Sequence, residues 1–157
     1  MVLRATSILR AGTEKTTPFD LVVLTAEERH LRRKLITLQH GDEVLVDLPQ
    51  TVKLMDRDCL VLEDGRLAEI IAADEDLLEV TAHDAVHLVQ LAWHIGNRHL
   101  EAQIEEQRIL IRPDHVIAKM LQLLGAKVSE VREPFSPEHG AYSHAHASLP
   151  GDFTLAP

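Results

Sequence analysis

Asp84-Ala-Val-His-Leu-Val-Gln-Leu-Ala-Trp-His-Ile-Gly-Asn-Arg-His99 is the stretch on which the fold turns. Ala85, Leu88, Val89, Ala92 and Ile95 recur at helical spacing and predict one packed helix face. Asp84 offers an N-cap for that helix. The run closes on His94-Ile-Gly-Asn-Arg-His99, two histidines five residues apart joined by a Gly-Asn pair. A helix ending there presents unpaired carbonyls, whose partial negative charge favours a cation. Neutral imidazole is the commonest side-chain metal ligand, so this end is the first candidate for chemistry.

Working outward, Leu77 to Thr81 reads as a strand entering the helix. Ala102 to Glu105 and Arg108 to Ile111 read as a tight antiparallel pair about the turn Glu106-Gln107. Pro113 and Asp114 open a second helix, with Val116, Ile117, Met120, Leu121 and Leu124 periodic and Gly125 at its end. Lys127 to Val131 is a final strand. The order β-α-β-β-α-β is the ferredoxin-like plan, two helices on one face of an antiparallel sheet.

The first half has another rhythm. Phe19 to Leu24 is rich in β formers, and Thr25 with Glu28 makes a capping-box pattern for a short helical turn through Arg29. Leu35–Leu38 with Val44–Leu48, and Leu60–Leu62 with Leu67–Ala72, read as hairpins about Gly turns. Such strands predict a small β sandwich or barrel. The chain is therefore α+β, with a β domain over residues 1–73 and a ferredoxin-like domain over 74–134. A polar break at residues 72–76 separates them. Residues 135–157 are expected to be a flexible His-containing tail, poor in large apolar groups.

Composition bounds the function. The net charge of −9 argues against phosphate-backbone binding, which needs clustered Lys and Arg. No apolar run approaches the ~20 residues of a membrane span. The single Cys59 excludes an internal disulfide and suits a cytoplasmic setting; within an apolar pattern it reads as a buried, inert thiol. Asp47, Asp56, Asp58 and Asp64 are spread over separate turns and form no constellation. Hydrolase, P-loop and dinucleotide-binding signatures are missing, so the chain does not read as an enzyme.

The histidines carry what remains. Ten are present and five fall after residue 98. His99 falls at the rim of the packed surface formed by Leu88, Ala92 and Ile95. Two readings stand for it: a satisfied, partly buried histidine, or a metal ligand. One imidazole does not hold a divalent ion tightly, but a two-fold contact brings a second His99 across the axis. Imidazole suits Ni²⁺, Zn²⁺ and Cu²⁺ alike. His94 can share an ion with His99 only if the helix breaks at Gly96; otherwise it is structural, beside Trp93. His87 reads as a helix-surface residue, and His30, His40 and His83 have no clustering partners. His115 opens the second helix, either as an exposed first-turn residue or as a weak secondary site. His139, His144 and His146 sit in the tail, where His-x-His puts both rings on one side of an extended chain.

Several of these segments together resemble the UreE family of urease accessory proteins. They are His94-Ile-Gly-Asn-Arg-His99, Asp114-His115-Val116, Leu123-Leu124-Gly125 and Phe135-Ser-Pro-Glu-His-Gly-Ala-Tyr142. Leu24-Thr25-Ala-Glu-Glu-Arg29 and Val46-Asp47-Leu48-Pro49 match the pattern in the first half. The resemblance implies a cytoplasmic nickel-binding homodimer that helps to load nickel into urease. It implies an N-terminal β domain likened to peptide-binding chaperones and a dimerising ferredoxin-like domain. By resemblance, His99 is the interface histidine that binds nickel with its symmetry mate. His144 and His146 fall where several members supply further ligands, and His115 matches a peripheral site. That peripheral site can carry His-x-His, and here Pro113 takes the first position. The implied partner is the urease GTPase UreG within a urease activation complex. The alternative reading is a peptide-binding assembly module whose histidines are incidental. A metallohydrolase lacks a carboxylate base beside the histidines.

Overall fold

A computed structural model describes residues 2–14 and 16–138. The first half forms six strands: β1 (Leu3–Leu9), β2 (Asp20–Leu24), β3 (His30–Thr37), β4 (Glu43–Lys53), β5 (Cys59–Leu62) and β6 (Leu67–Ala72). They make one sheet in the order β2-β6-β5-β1-β4-β3. The two expected hairpins are β3–β4 and β5–β6, both antiparallel. The β1–β4 and β2–β6 pairs are parallel, joined by crossovers that no local pattern announces. The sheet curls. Beyond β3 the Gln39 N–H donates to Leu21 O at 2.8 Å, and His40 binds Asp20 through its backbone N–H and its ring. The two outer strands thus approach each other at one end, around a core that includes Val22, Leu31, Val44, Val46, Leu60 and Ile70. Gly41, at φ +101°, closes the β3–β4 turn where a side chain would be strained.

Thr25 and Glu28 form the reciprocal bonds of a capping box, at 2.9 and 3.3 Å. They hold a single helical turn, ending at Arg29, before β3 begins.

The second half is β7 (Asp74–Thr81), α1 (Ala85–Asn97), β8 (Ala102–Ile104), β9 (Ile109–Ile111), α2 (His115–Leu123) and β10 (Lys127–Pro134). The sheet order β10-β7-β9-β8 is antiparallel throughout, the ferredoxin-like arrangement. Leu78, Val80, Ile109 and Ile111 meet Leu88, Leu91, Ile95, Ile117 and Leu121 from the two helices. Each such fully buried side chain contributes about 1.5–3 kcal/mol.

Two details differ from the sequence reading. The segment read as a polar break at residues 72–76 is strand apart from Ala73. Two of its charges find partners: Arg132, across the ladder, bonds Asp76 at 2.9 Å, and Glu75 accepts from the Ala26 N–H. The expected flexible tail does not begin at residue 135 either. Phe135 is fully buried against Leu77, Leu110 and Ala26 on the sheet face opposite the helices.

That contact joins the two halves. Arg29 is fully buried; it donates to the carbonyls of Leu24 and Leu54, at 3.2 and 3.1 Å, and to the carbonyl of Phe135. Lys53 Nζ donates to Pro137 O, and the Ala26 N–H donates to Glu75 at 3.0 Å. Burial lowers the Arg29 pKa, opposed by the charges of Glu75 and Asp56. No helix among the described residues is long and apolar enough to cross a membrane.

Candidate metal centre

The site is built by how α1 stops. Asp84 caps its start, accepting from the His87 N–H at 2.8 Å. Leu88, Leu91 and Ile95 pin the helix to the sheet. The helix does not break at Gly96 but continues through Asn97. Arg98 and His99 then close it with tight bonds to Ile95 O and Gly96 O, at 3.1 and 2.9 Å. His99 takes the left-handed conformation, φ +61°. Glycine usually fills that position after a helix, because any side chain costs about 1–2 kcal/mol there. His99 is exposed, at the end of the helix layer. A side chain held at such a cost on a surface is a candidate for function.

Because the helix persists, His94 does not turn toward His99. It is half-buried, and its ring meets the Trp93 indole edge-on at 5.2 Å. This is the structural role the sequence suggested.

The helix face needs correcting. Val89 was expected on the core side but is 69% exposed, and Leu91 takes its place in the core. Val86 and Trp93 are exposed to a similar degree. Positions 86, 89 and 93 lie on one outward face, so α1 has two apolar stripes, one against the sheet and one bare. On α2, Val116 and Leu124 are likewise turned outward, while Ile117 and Leu121 are buried. An apolar helix on both sides is the signal that could have revealed this face.

His115 is exposed at the start of α2. Asp114 is used as the helix cap, accepting from Val116 N–H and Ile117 N–H at 2.9 and 3.1 Å. The helices run antiparallel: His87 on α1 bonds Leu124 O beyond the end of α2, while Arg98 beyond the end of α1 reaches Met120. The start of α2, with His115, therefore lies at the same end of the layer as His99. Among the described residues, no three His, Cys, Asp or Glu side chains converge to hold an ion. His139, His144 and His146 lie outside the described residues. The last described residue, Glu138, pairs with Ala102 through two backbone bonds of 2.7 and 3.1 Å. That pairing lies three residues along the chain from His99.

One histidine pair escaped the sequence reading. His83 and His87 stack with ring centroids 4.7 Å apart, and His87 Nε2 lies 2.8 Å from Leu124 O. Their four-residue spacing was the available signal. Cys59 is the buried thiol expected, its pKa pushed up to about 11, chiefly by burial.

Comparison with known proteins agrees with this architecture. Residues 5–73 match the family model for the UreE urease accessory protein N-terminal domain, and residues 75–152 match that for its C-terminal domain. The chain is 56% identical over 143 residues to the urease accessory protein UreE of Rhizobium rhizogenes, covering 91% of this chain and 85% of that one. It is 58% identical to the protein of that name from Mesorhizobium japonicum, covering 91% and 74% of the two chains. Against the Rhizobium meliloti protein the identity is 51%, with 93% and 96% covered. With both halves matched and identities above one half, the chain belongs to the UreE family of urease accessory proteins.

Proposed function

We propose that this chain is a nickel metallochaperone of urease maturation, holding Ni²⁺ between two protomers and passing it on, with no catalytic step of its own. In this reading residues 1–73 form the partner-binding module, and residues 74–134 the metal-binding and dimerising one. The observation that carries it is His99: an exposed imidazole in a conformation that costs folding energy, just past the end of the helix that bears the bare apolar stripe of Val86, Val89 and Trp93. A stripe of that kind is covered when two copies meet, and a two-fold contact repeats the same patch on both. The two His99 rings then share one ion.

No set of three donors converges among the described residues, so the remaining ligands come from the second copy, from water or from beyond Glu138. His144 is the sixth residue after Glu138, a reach of about 20 Å. His144 and His146 are thereby tethered within range of His99 and supply donors at high effective concentration. His115, at the same end, is a weaker auxiliary donor. Zn²⁺ and Cu²⁺ suit the same imidazoles, and availability in the cytoplasm decides among them. Release proceeds by ligand exchange toward the urease GTPase UreG in the activation complex.

Nickel titration by calorimetry tests this. The full chain is expected to bind about half an equivalent per protomer at its tight site. His99→Ala removes that phase. Undiminished tight binding by the variant would overturn the assignment.

A further inference from the structure

β3 is an outer strand of the N-terminal sheet, paired with β4 on one side only. Its burial breaks the alternation of a half-buried strand. Leu31 and Ile36 are buried, but Arg32, Arg33, Lys34 and Leu35 between them are all exposed. The pairing explains this. The register jumps from Leu31↔Val52 to Arg33↔Asp47, so residues 48–51 of β4 stand opposite Arg32 alone. That surplus includes Pro49, which has no N–H to give, and it loosens the ladder locally.

Arg32-Arg33-Lys34 is the only run of three cations in a chain of net charge −9. Two carboxylates face it, and both carry other bonds. Asp47, across the ladder, is bonded by Arg4 at 2.6 Å, and Glu28 is tied into the box with Thr25. Asp47 also faces Arg33 and Arg32, and Glu28 faces Lys34, but no ion pair among the described residues uses any of the three, so the open strand edge keeps positive charge in excess. Like charges on an edge keep identical copies from pairing there, and the same charges admit a strand of opposite sign.

We propose that the β3 edge from Arg32 to Leu35 docks an extended acidic segment of a partner protein, added to the sheet as a further strand. The free backbone groups of the edge supply the ladder bonds. Arg32 and Lys34 project to one face and Arg33 to the other, so a run of carboxylates fits better than a single one. Leu35, half exposed, receives an apolar residue at the end of the run. This surface lies in the N-terminal sheet and does not depend on His99.

The test uses the full chain and a fluorescein-labelled decapeptide with a central run of Glu flanked by Val, read by fluorescence anisotropy. Saturable binding is expected, weakened about tenfold when salt rises from roughly 50 to 500 mM. The triple variant R32E/R33E/K34E should weaken it by at least about tenfold while keeping nickel stoichiometry and unfolding midpoint unchanged. Should the triple variant fail to fold, Lys34→Glu alone provides the comparison, with a smaller loss expected. The same peptide with alternate amides N-methylated keeps its charges but lacks strand donors, and should not bind. No saturation below about 1 mM, equal binding by the charge-reversed protein, or equal binding of the methylated peptide would each overturn the proposal. Tighter binding of a single-stranded RNA decamer than of the peptide would also overturn it, assigning the strand to nucleic acid instead.

Discussion

Replacing His99 by glycine and, separately, by alanine separates the backbone at that position from its imidazole. Both variants lose the ring together with its contacts, so the difference between them reads the φ of +61° alone. A non-glycine residue pays about 1–2 kcal/mol in the left-handed region. Glycine avoids that, but its freer unfolded chain returns about 0.4–1 kcal/mol. The balance leaves His99→Gly more stable than His99→Ala by roughly 0.5–1 kcal/mol, or about 2 °C in melting temperature for a chain of this size. At an ordinary helical position the order reverses, with alanine ahead by about 1 kcal/mol. The sign of the difference is therefore diagnostic. Thermal unfolding followed by circular dichroism and by the single tryptophan, Trp93 on α1, measures it. Alanine equal to or more stable than glycine would refute the reasoning. Both variants should lose tight nickel binding together, leaving a glycine form that is sounder in fold than its alanine counterpart and empty of metal.

Three further outcomes are expected. Val89→Asp places a charge on the bare stripe of α1; sedimentation should find a monomer, and the tight nickel phase should weaken at least about tenfold with His99 intact. Arg29→Met strands the Leu54 and Phe135 carbonyls at about 1–3 kcal/mol each, while Leu24 O keeps the Ala73 N–H; relief of a buried charge offsets part of this, for a net loss of roughly 2 kcal/mol in urea unfolding. Hydrogen exchange at residues 135–138 should quicken in the same variant. Glu133→Gln tests the pH dependence. Hydrogen bonding to Arg108 holds the Glu133 carboxyl below its ordinary range, so the pair stabilises the fold above the unfolded carboxylate value of about 4.3. That contribution is lost as pH falls through the lower folded value. The variant should be less stable at neutral pH and lose less between there and strong acid, measured by unfolding midpoints across the range.

Local pattern determined much of this protein. Helical spacing in Leu88 and Ile95, the caps at Asp84 and Asp114, the box at Thr25–Glu28 and the Gly turns are short-range effects, and each element stands where its own residues put it. The ferredoxin-like order followed because two helices and four strands in that sequence have few ways to bury one face. His99 was legible as a candidate from its place after an apolar helix. Tertiary structure alone decided the rest. The parallel β1–β4 and β2–β6 pairs join residues far apart in the chain, and no periodicity encodes which strand a strand will meet. Val89 and Leu91 are both apolar, and only the position of the sheet selects which one is buried. Phe135 looked like the start of a loose tail until Arg29 and Lys53, more than eighty positions earlier, closed over its backbone and that of Pro137. The left-handed turn at His99 is likewise invisible in sequence, since a neighbouring glycine was the obvious place for it. Contacts between distant segments outweigh local preference, and they fix which apolar surface is covered and which is left exposed.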